Sequence, residues 1–231
     1  MRRGPVSAFL AVILIAAAYG AAADAAIFTN LGFSEDGRFL MFSQHGIERA
    51  SGQAYAEIYT VDVPANQFVP SGVFRQRYPE PVSAGQTGHA ALLTLLREAE
   101  SVRSSRGISH FRQGRLVYLL LNNDEPRSEI TFRDFVGGDS YHVRLTQESQ
   151  GSGTDVQARF HIDLTRTSAA GRSHEYRIGL PDRFRDGVRS YRVRQAILTP
   201  DGNGMVFVVE MERPSDTGGI SIRYMVETVR F

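Results

Sequence analysis

Apolar residues in this chain recur mostly at every second position, in short runs broken by Gly, Asp, Asn and Pro. Alternation at period two sends successive side chains to opposite faces of a strand, so the pattern predicts β-structure through most of the chain. Early on, Ile27-Phe28 and Leu31-Gly32-Phe33 lead into Ser34-Glu35-Asp36-Gly37 and then Arg38-Phe39-Leu40-Met41-Phe42. Asp-Gly supplies the positive φ that a tight turn needs, and apolar runs flank it, so this stretch predicts a hairpin. Residues 56–63 alternate, Pro64-Ala65-Asn66 turns the chain, and Phe68-Val69 resumes, which predicts a second hairpin.

One segment breaks the rule. Over 87–103, Leu92, Leu95, Leu96, Ala99 and Val102 fall on a single helical stripe, with Thr87 placed as N-cap and Gly107 beyond the end. Strands then return at 116–121, 129–135, 141–146, 156–164, 174–178, 191–198, 205–211 and 220–229. Between them lie the turn-forming clusters Asn122-Asn123-Asp124, Gly137-Gly138-Asp139, Gly151-Ser152-Gly153, Asp201-Gly202 and Thr217-Gly218-Gly219. The expected fold is mainly β, with antiparallel sheets in a sandwich, barrel or blade-like arrangement and one amphipathic helix near 87–103.

The first residues stand apart from this pattern. Arg2 and Arg3 precede the apolar run AFLAVILIAAA at 8–18, and a small-residue tract, Ala21-Ala22-Ala23-Asp24-Ala25-Ala26, follows. Basic, apolar and small-residue regions in that order read as a signal peptide over 1–25, leaving 26–231 as a single secreted domain. The apolar run is about half the length a bilayer-spanning helix needs, which argues against stable membrane insertion. Cleavage after Ala23 and cleavage after Ala25 both satisfy the A-x-A pattern. With no cysteine in the chain, neither disulfides nor lipidation of a mature cysteine enters the picture.

Charge narrows the partners. All 26 basic residues are Arg and none is Lys, which fits a uniform compositional bias. Without Arg2 and Arg3 the count is 24 basic against 25 acidic residues, so no global field attracts nucleic acid. The densest basic stretch holds Arg183, Arg185, Arg189, Arg192 and Arg194, and guanidinium groups on one strand face suit an anionic polymer. Glu175, Asp182 and Asp186 lie among them, so local ion pairing competes with that reading.

Catalytic chemistry is weakly signed. His45, His89, His110, His142, His161 and His174 form no close-spaced zinc pattern, and no metal or cofactor is expected. His161 and Asp163 share a strand face, which is two groups where a metal site needs more. Cys and Lys nucleophiles are missing, as is a G-x-S-x-G elbow, so no catalytic residues are assigned. The turns at 122–125 and 201–204 lack the loop spacing of a calcium site.

Two resemblances complete the reading. Phe33-Ser34-Glu35-Asp36-Gly37 can be laid on Leu198-Thr199-Pro200-Asp201-Gly202, each followed by a strand, and the form resembles hairpins of TolB-like and WD-type propeller blades. Asn30 through Arg38, Gln44-His45-Gly46, Phe132-Arg133-Asp134-Phe135, Gly179-Leu180-Pro181-Asp182 and the ending Ile222 to Arg230 are similar to a bacterial family of predicted secreted proteins of unknown function. That resemblance implies export and a single domain, and it carries no site residues. The expectation is an exported, non-catalytic binding module of the cell envelope. Its partner would be an envelope protein on a strand edge or an anionic polymer on the arginines, the alternatives being an envelope hydrolase and a propeller-like scaffold.

Overall fold

The computed structural model describes residues 24–121, 125–215 and 219–231. Residues 1–23, which hold most of the expected signal peptide, and residues 122–124 and 216–218, where turns are expected, lie outside the described residues. The first strands are β1 (Asp24–Ala25), β2 (Ile27–Phe33), β3 (Phe39–Ile47), β4 (Gln53–Asp62) and β5 (Gln67–Pro81), followed by helix α1 (His89–Ser105). Next come β6 (Arg115–Leu119), β7 (Glu129–Arg133), β8 (Ser140–Gln150), β9 (Gln157–Thr167) and β10 (Ser173–Ile178). The chain ends with β11 (Arg185–Asp186), β12 (Ser190–Leu198), β13 (Gly204–Pro214) and β14 (Ile220–Arg230). The mainly β expectation with one helix holds, and the strand pairs are antiparallel except β1 with β14.

Three sheets form: β2-β3-β4-β5, then β1-β14-β13-β12-β6, then β10-β9-β8-β7 with β11 on β9. Their stacking order follows from alternation along single strands. In β3, Met41 packs with Ala91, Leu92, Leu95 and Ala99 of α1, whereas Leu40 and Phe42 turn the other way to meet Val206 and Val208 of β13. In β13, Met205, Phe207 and Val209 face a further core with Val143, Phe160, Ile162 and Leu164 of the third sheet. The layers therefore run α1, first sheet, central sheet, third sheet. Residues 205–209 of β13 are fully buried on both faces, which explains why this strand reads as a continuous apolar run rather than an alternating one.

The helix starts later than its sequence suggests. Its N-cap is Gly88, not Thr87, and no side chain caps it. A Cβ at Gly88 would stand 2.6 Å from the Gly46 carbonyl oxygen, so the helix start presses directly on β3 and only glycine fits the contact. Thr87 still serves nearby, its Oγ1 accepting the His89 N–H at 3.3 Å.

The two turns that echo each other in sequence share their hydrogen bonds. The Ser34 hydroxyl donates to Asp36 Oδ1 and the Thr199 hydroxyl to Asp201 Oδ1, each at 2.6 Å. The same carboxylate oxygens accept the N–H of Arg38 and of Asn203, and Gly37 and Gly202 take φ of 66° and 70°. The turns touch: a Cβ on Gly37 would lie 2.9 Å from Asp201 Oδ1, and Arg230 donates both to Asp201 Oδ2 and to the Asp36 carbonyl. Each turn heads a three-stranded meander, β2-β3-β4 and β12-β13-β14, and the meanders pack face to face. The described sheets number three, where a closed propeller takes four or more blades.

Candidate functional site

The five arginines singled out by sequence are dispersed over the fold. Arg185 lies in β11, Arg192 and Arg194 in β12, and Arg183 and Arg189 in the loops before those strands. Arg185 contacts buried Glu227 at 3.5 Å and lies over the Phe160 ring. Arg189 pairs with Glu212, and Arg192 donates through Nε to Glu210 Oε1 at 2.6 Å. Arg194 sits at the β12 bulge, its carbonyl accepting the Leu120 N–H. Arg183 is exposed in the loop after β10.

Glu227, like Glu210, is a buried carboxylate. It stands where the central sheet, the β4–β5 turn and β11 converge, accepting a hydrogen bond from Asn66 Nδ2 at 2.5 Å. Burial raises its pKa, and the Asn66 bond and the Arg185 charge oppose that rise. Asn66, in the left-handed region at φ 49°, also accepts the Thr228 N–H, so the group ties the first sheet to the edge of β14. It is a structural junction with its carboxylate already engaged.

The outer face of the third sheet is polar and slightly hollow. His142 and Arg144 of β8, Asp163 and Thr165 of β9, and Glu175 and Arg177 of β10 line a depression of about 550 Å³. The His161–Asp163 pair expected on one strand face is here, Nε2 to Oδ2 at 3.3 Å, and Arg177 donates to the other Asp163 oxygen at 2.8 Å. Desolvation pushes the Asp163 pKa up, but Arg177 and His161 outweigh it and hold it below the usual carboxylate value. Thr146 of β8 lies opposite His161 in the strand register. The described residues contain no group of three or more metal-ligating side chains.

An apolar surface forms at the other end of the central sheet. β6 is the last strand of that sheet, pairing with β12 through the register Arg115 to Leu198 and Leu119 to Gln195. Leu116 is 50% exposed and Leu119 41%, while Phe111 just before the strand is 97% exposed. Phe135 at 90% and Val136 at 77% project from the β7–β8 turn. That turn is fixed beside β6 by Asp134, which receives Arg115 through Nε at 3.0 Å and Nη2 at 2.6 Å and also the N–H groups of Val136 and Gly137. Burial favours the neutral acid, yet the bonds from Arg115, Val136 and Gly137 win and lower the Asp134 pKa. Arg115 is thereby neutralised within the molecule, Arg112 between Phe111 and β6 pairs with exposed Glu35, and Arg133 at the end of β7 is exposed. Sequence reasoning passed over this site; its signal was Leu116 through Leu121, an apolar run without an interrupting charge, together with an apolar pair inside a glycine-bearing turn.

A family model described as "Predicted secreted protein (DUF2259)" matches residues 41–230. The chain belongs to that family. The match opens inside β3, so the Ser34-Glu35-Asp36-Gly37 turn lies ahead of it, whereas the second turn, α1, β6 and the central sheet's β12–β14 fall within it. No curated protein matches the chain. The family description agrees with the export signals, and no described helix is long and apolar enough to cross a membrane.

Proposed function

We propose that this secreted protein is a non-catalytic binding module that takes an extended apolar segment of another envelope protein onto the β6 edge of the central sheet. The observation that carries the reading is the exposed apolar surface of Leu116, Leu119, Phe111, Phe135 and Val136 beside a terminal strand. Proteins blunt such edges with charge, proline or a cover, because a terminal strand is a template for another chain. Here Arg115, the charge at the head of β6, is bound to Asp134. An incoming strand would gain ladder hydrogen bonds, and each exposed phenylalanine it covered would contribute about 2 kcal/mol. The anionic-polymer reading has weaker support, since Arg185, Arg189 and Arg192 already hold carboxylates.

The experiment is retention of envelope proteins on the mature chain at low and high salt, with Leu119→Lys and Arg192→Ala as the comparison variants. Expected are salt-resistant retention that Leu119→Lys abolishes, and slower amide exchange over 115–119 in the complex. Salt-sensitive retention lost in Arg192→Ala would transfer the site to the arginines. A concentration-dependent dimer of the purified chain, dissolved by Leu119→Lys, would replace the envelope partner with a second copy.

A further inference from the structure

Two cleavage positions fit the small-residue tract equally well, and the fold distinguishes them. Asp24 and Ala25 form β1, a parallel strand on β14 with Asp24 opposite Ser221 and Ala25 opposite Ile222. Asp24 also partners Arg223, whose Nη2 donates to the Asp24 carboxylate at 2.9 Å and whose Nη1 donates to the Asp24 carbonyl at 3.1 Å. The two side chains are only 18% and 13% exposed. The Arg223 guanidinium lies over the Tyr55 ring at 4.8 Å, so the pair closes a contact between the first residues of the fold, the first sheet and β14.

Ala26 supplies an independent argument. It is 4% exposed, and its N–H donates to the Ile222 carbonyl at 3.1 Å. Cleavage after Ala25 would turn that buried amide into an α-ammonium, a charge held out of water. The same cut would remove the Asp24 carboxylate and strand the Arg223 charge in a mostly buried position. Cleavage after Ala23 leaves both contacts whole and puts the new ammonium on Asp24, at the outer end of β1.

We infer that Ala23–Asp24 is the maturation site of this protein, cut by a leader peptidase, and that Asp24 is the first residue of the working molecule and a structural part of it. In the hydrolysis water breaks the amide bond, its oxygen completing the Ala23 carboxylate while Asp24 leaves as the amine and is protonated. The leader and the fold thus meet without a spacer. The Ala21 and Ala23 side chains serve the peptidase, and the next residue already belongs to a strand.

The test uses the full-length chain exported with its own leader, followed by N-terminal sequencing and intact mass of the recovered protein. A product beginning at Asp24 is expected; one beginning at Ala26 overturns the inference. A second measurement addresses the reason. Chains produced to begin at Asp24 and at Ala26 are compared by thermal melting, and the shorter one is expected to melt roughly 6–15 °C lower. Asp24→Asn in the longer chain should lose part of the same margin. Equal melting of the two chains would remove the structural basis for the assignment.

Discussion

His45 is the residue whose surroundings least resemble what its sequence context suggests. It sits on β3 facing α1, fully buried, with neither ring nitrogen hydrogen-bonded among the described residues. Its ring meets His89, the first residue of the helix, edge to face at 5.0 Å, and the hydroxyls of Ser43 and Thr60 are buried on the same sheet face. Desolvation lowers the His45 pKa, and the neighbouring His89 lowers it further. The unfolded chain takes up this proton near 6.5 and the folded chain only at lower pH. The stability contributed by the neutral ring is therefore complete above that value and is lost as the pH falls through the window below it. Urea melts at pH 7.5 and 5.0 should show wild type losing on the order of 1 kcal/mol that His45→Leu retains. Identical pH dependence in the two proteins would mean that folding leaves the His45 pKa where it stands in the unfolded chain. Asp201 works in the same sense, at lower pH. Its burial is overcome by bonds from Thr199, Asn203 and Arg230, which bring the pKa down to about 2, so its share of stability fails only in acid.

At the scale of elements, the two echoing turns separate local chemistry from tertiary contact. Gly37 and Gly202 adopt the same left-handed conformation and follow the same Asp. Local strain alone gives Gly202→Ala a cost of about 1 kcal/mol, since nothing lies within 4 Å of the Cβ it would add. Gly37→Ala adds collisions at 2.9 Å with Thr199 and Asp201 of the other turn, so about 2–3 kcal/mol is expected. Denaturant midpoints of the two variants check the difference, and equal values would mean that the turns do not press on each other in solution. β6 teaches the same lesson about edges. Its period does not say which neighbour it has, because an apolar run suits a buried strand and an uncovered one alike. Only pairing with β12 on one side reveals it as the terminal strand.

The whole molecule is held together by a central sheet gathered from distant parts of the chain: β1 from its described start, β6 from its middle and β12–β14 from its end. Two of the three cores use that sheet, one on each face. Without it the third sheet loses its packed face and the first keeps only the one that α1 covers. The chain is therefore expected to unfold in one transition, with near- and far-ultraviolet circular dichroism and calorimetry giving the same midpoint. Two separated transitions would instead make the first sheet with α1 an independent unit.

What the sequence determined by itself was local. Alternation set the strands, Asp-Gly with a preceding hydroxyl set two turns, and a stripe of Leu and Ala set one helix, because each signal acts within about ten residues. The leader expected over 1–25 rests on signals of the same short range. Tertiary structure decided which carboxylate each arginine meets, since those partners lie up to 199 residues apart, as Arg223 and Asp24 do. It decided the helix start, where Gly88 abuts β3, and the two-residue strands β1 and β11, whose short apolar content carries no period. It also decided that the exposed apolar surface stands at β6 rather than among the arginines. Burial and edge position are properties of the packed chain, and no residue carries them in its own composition.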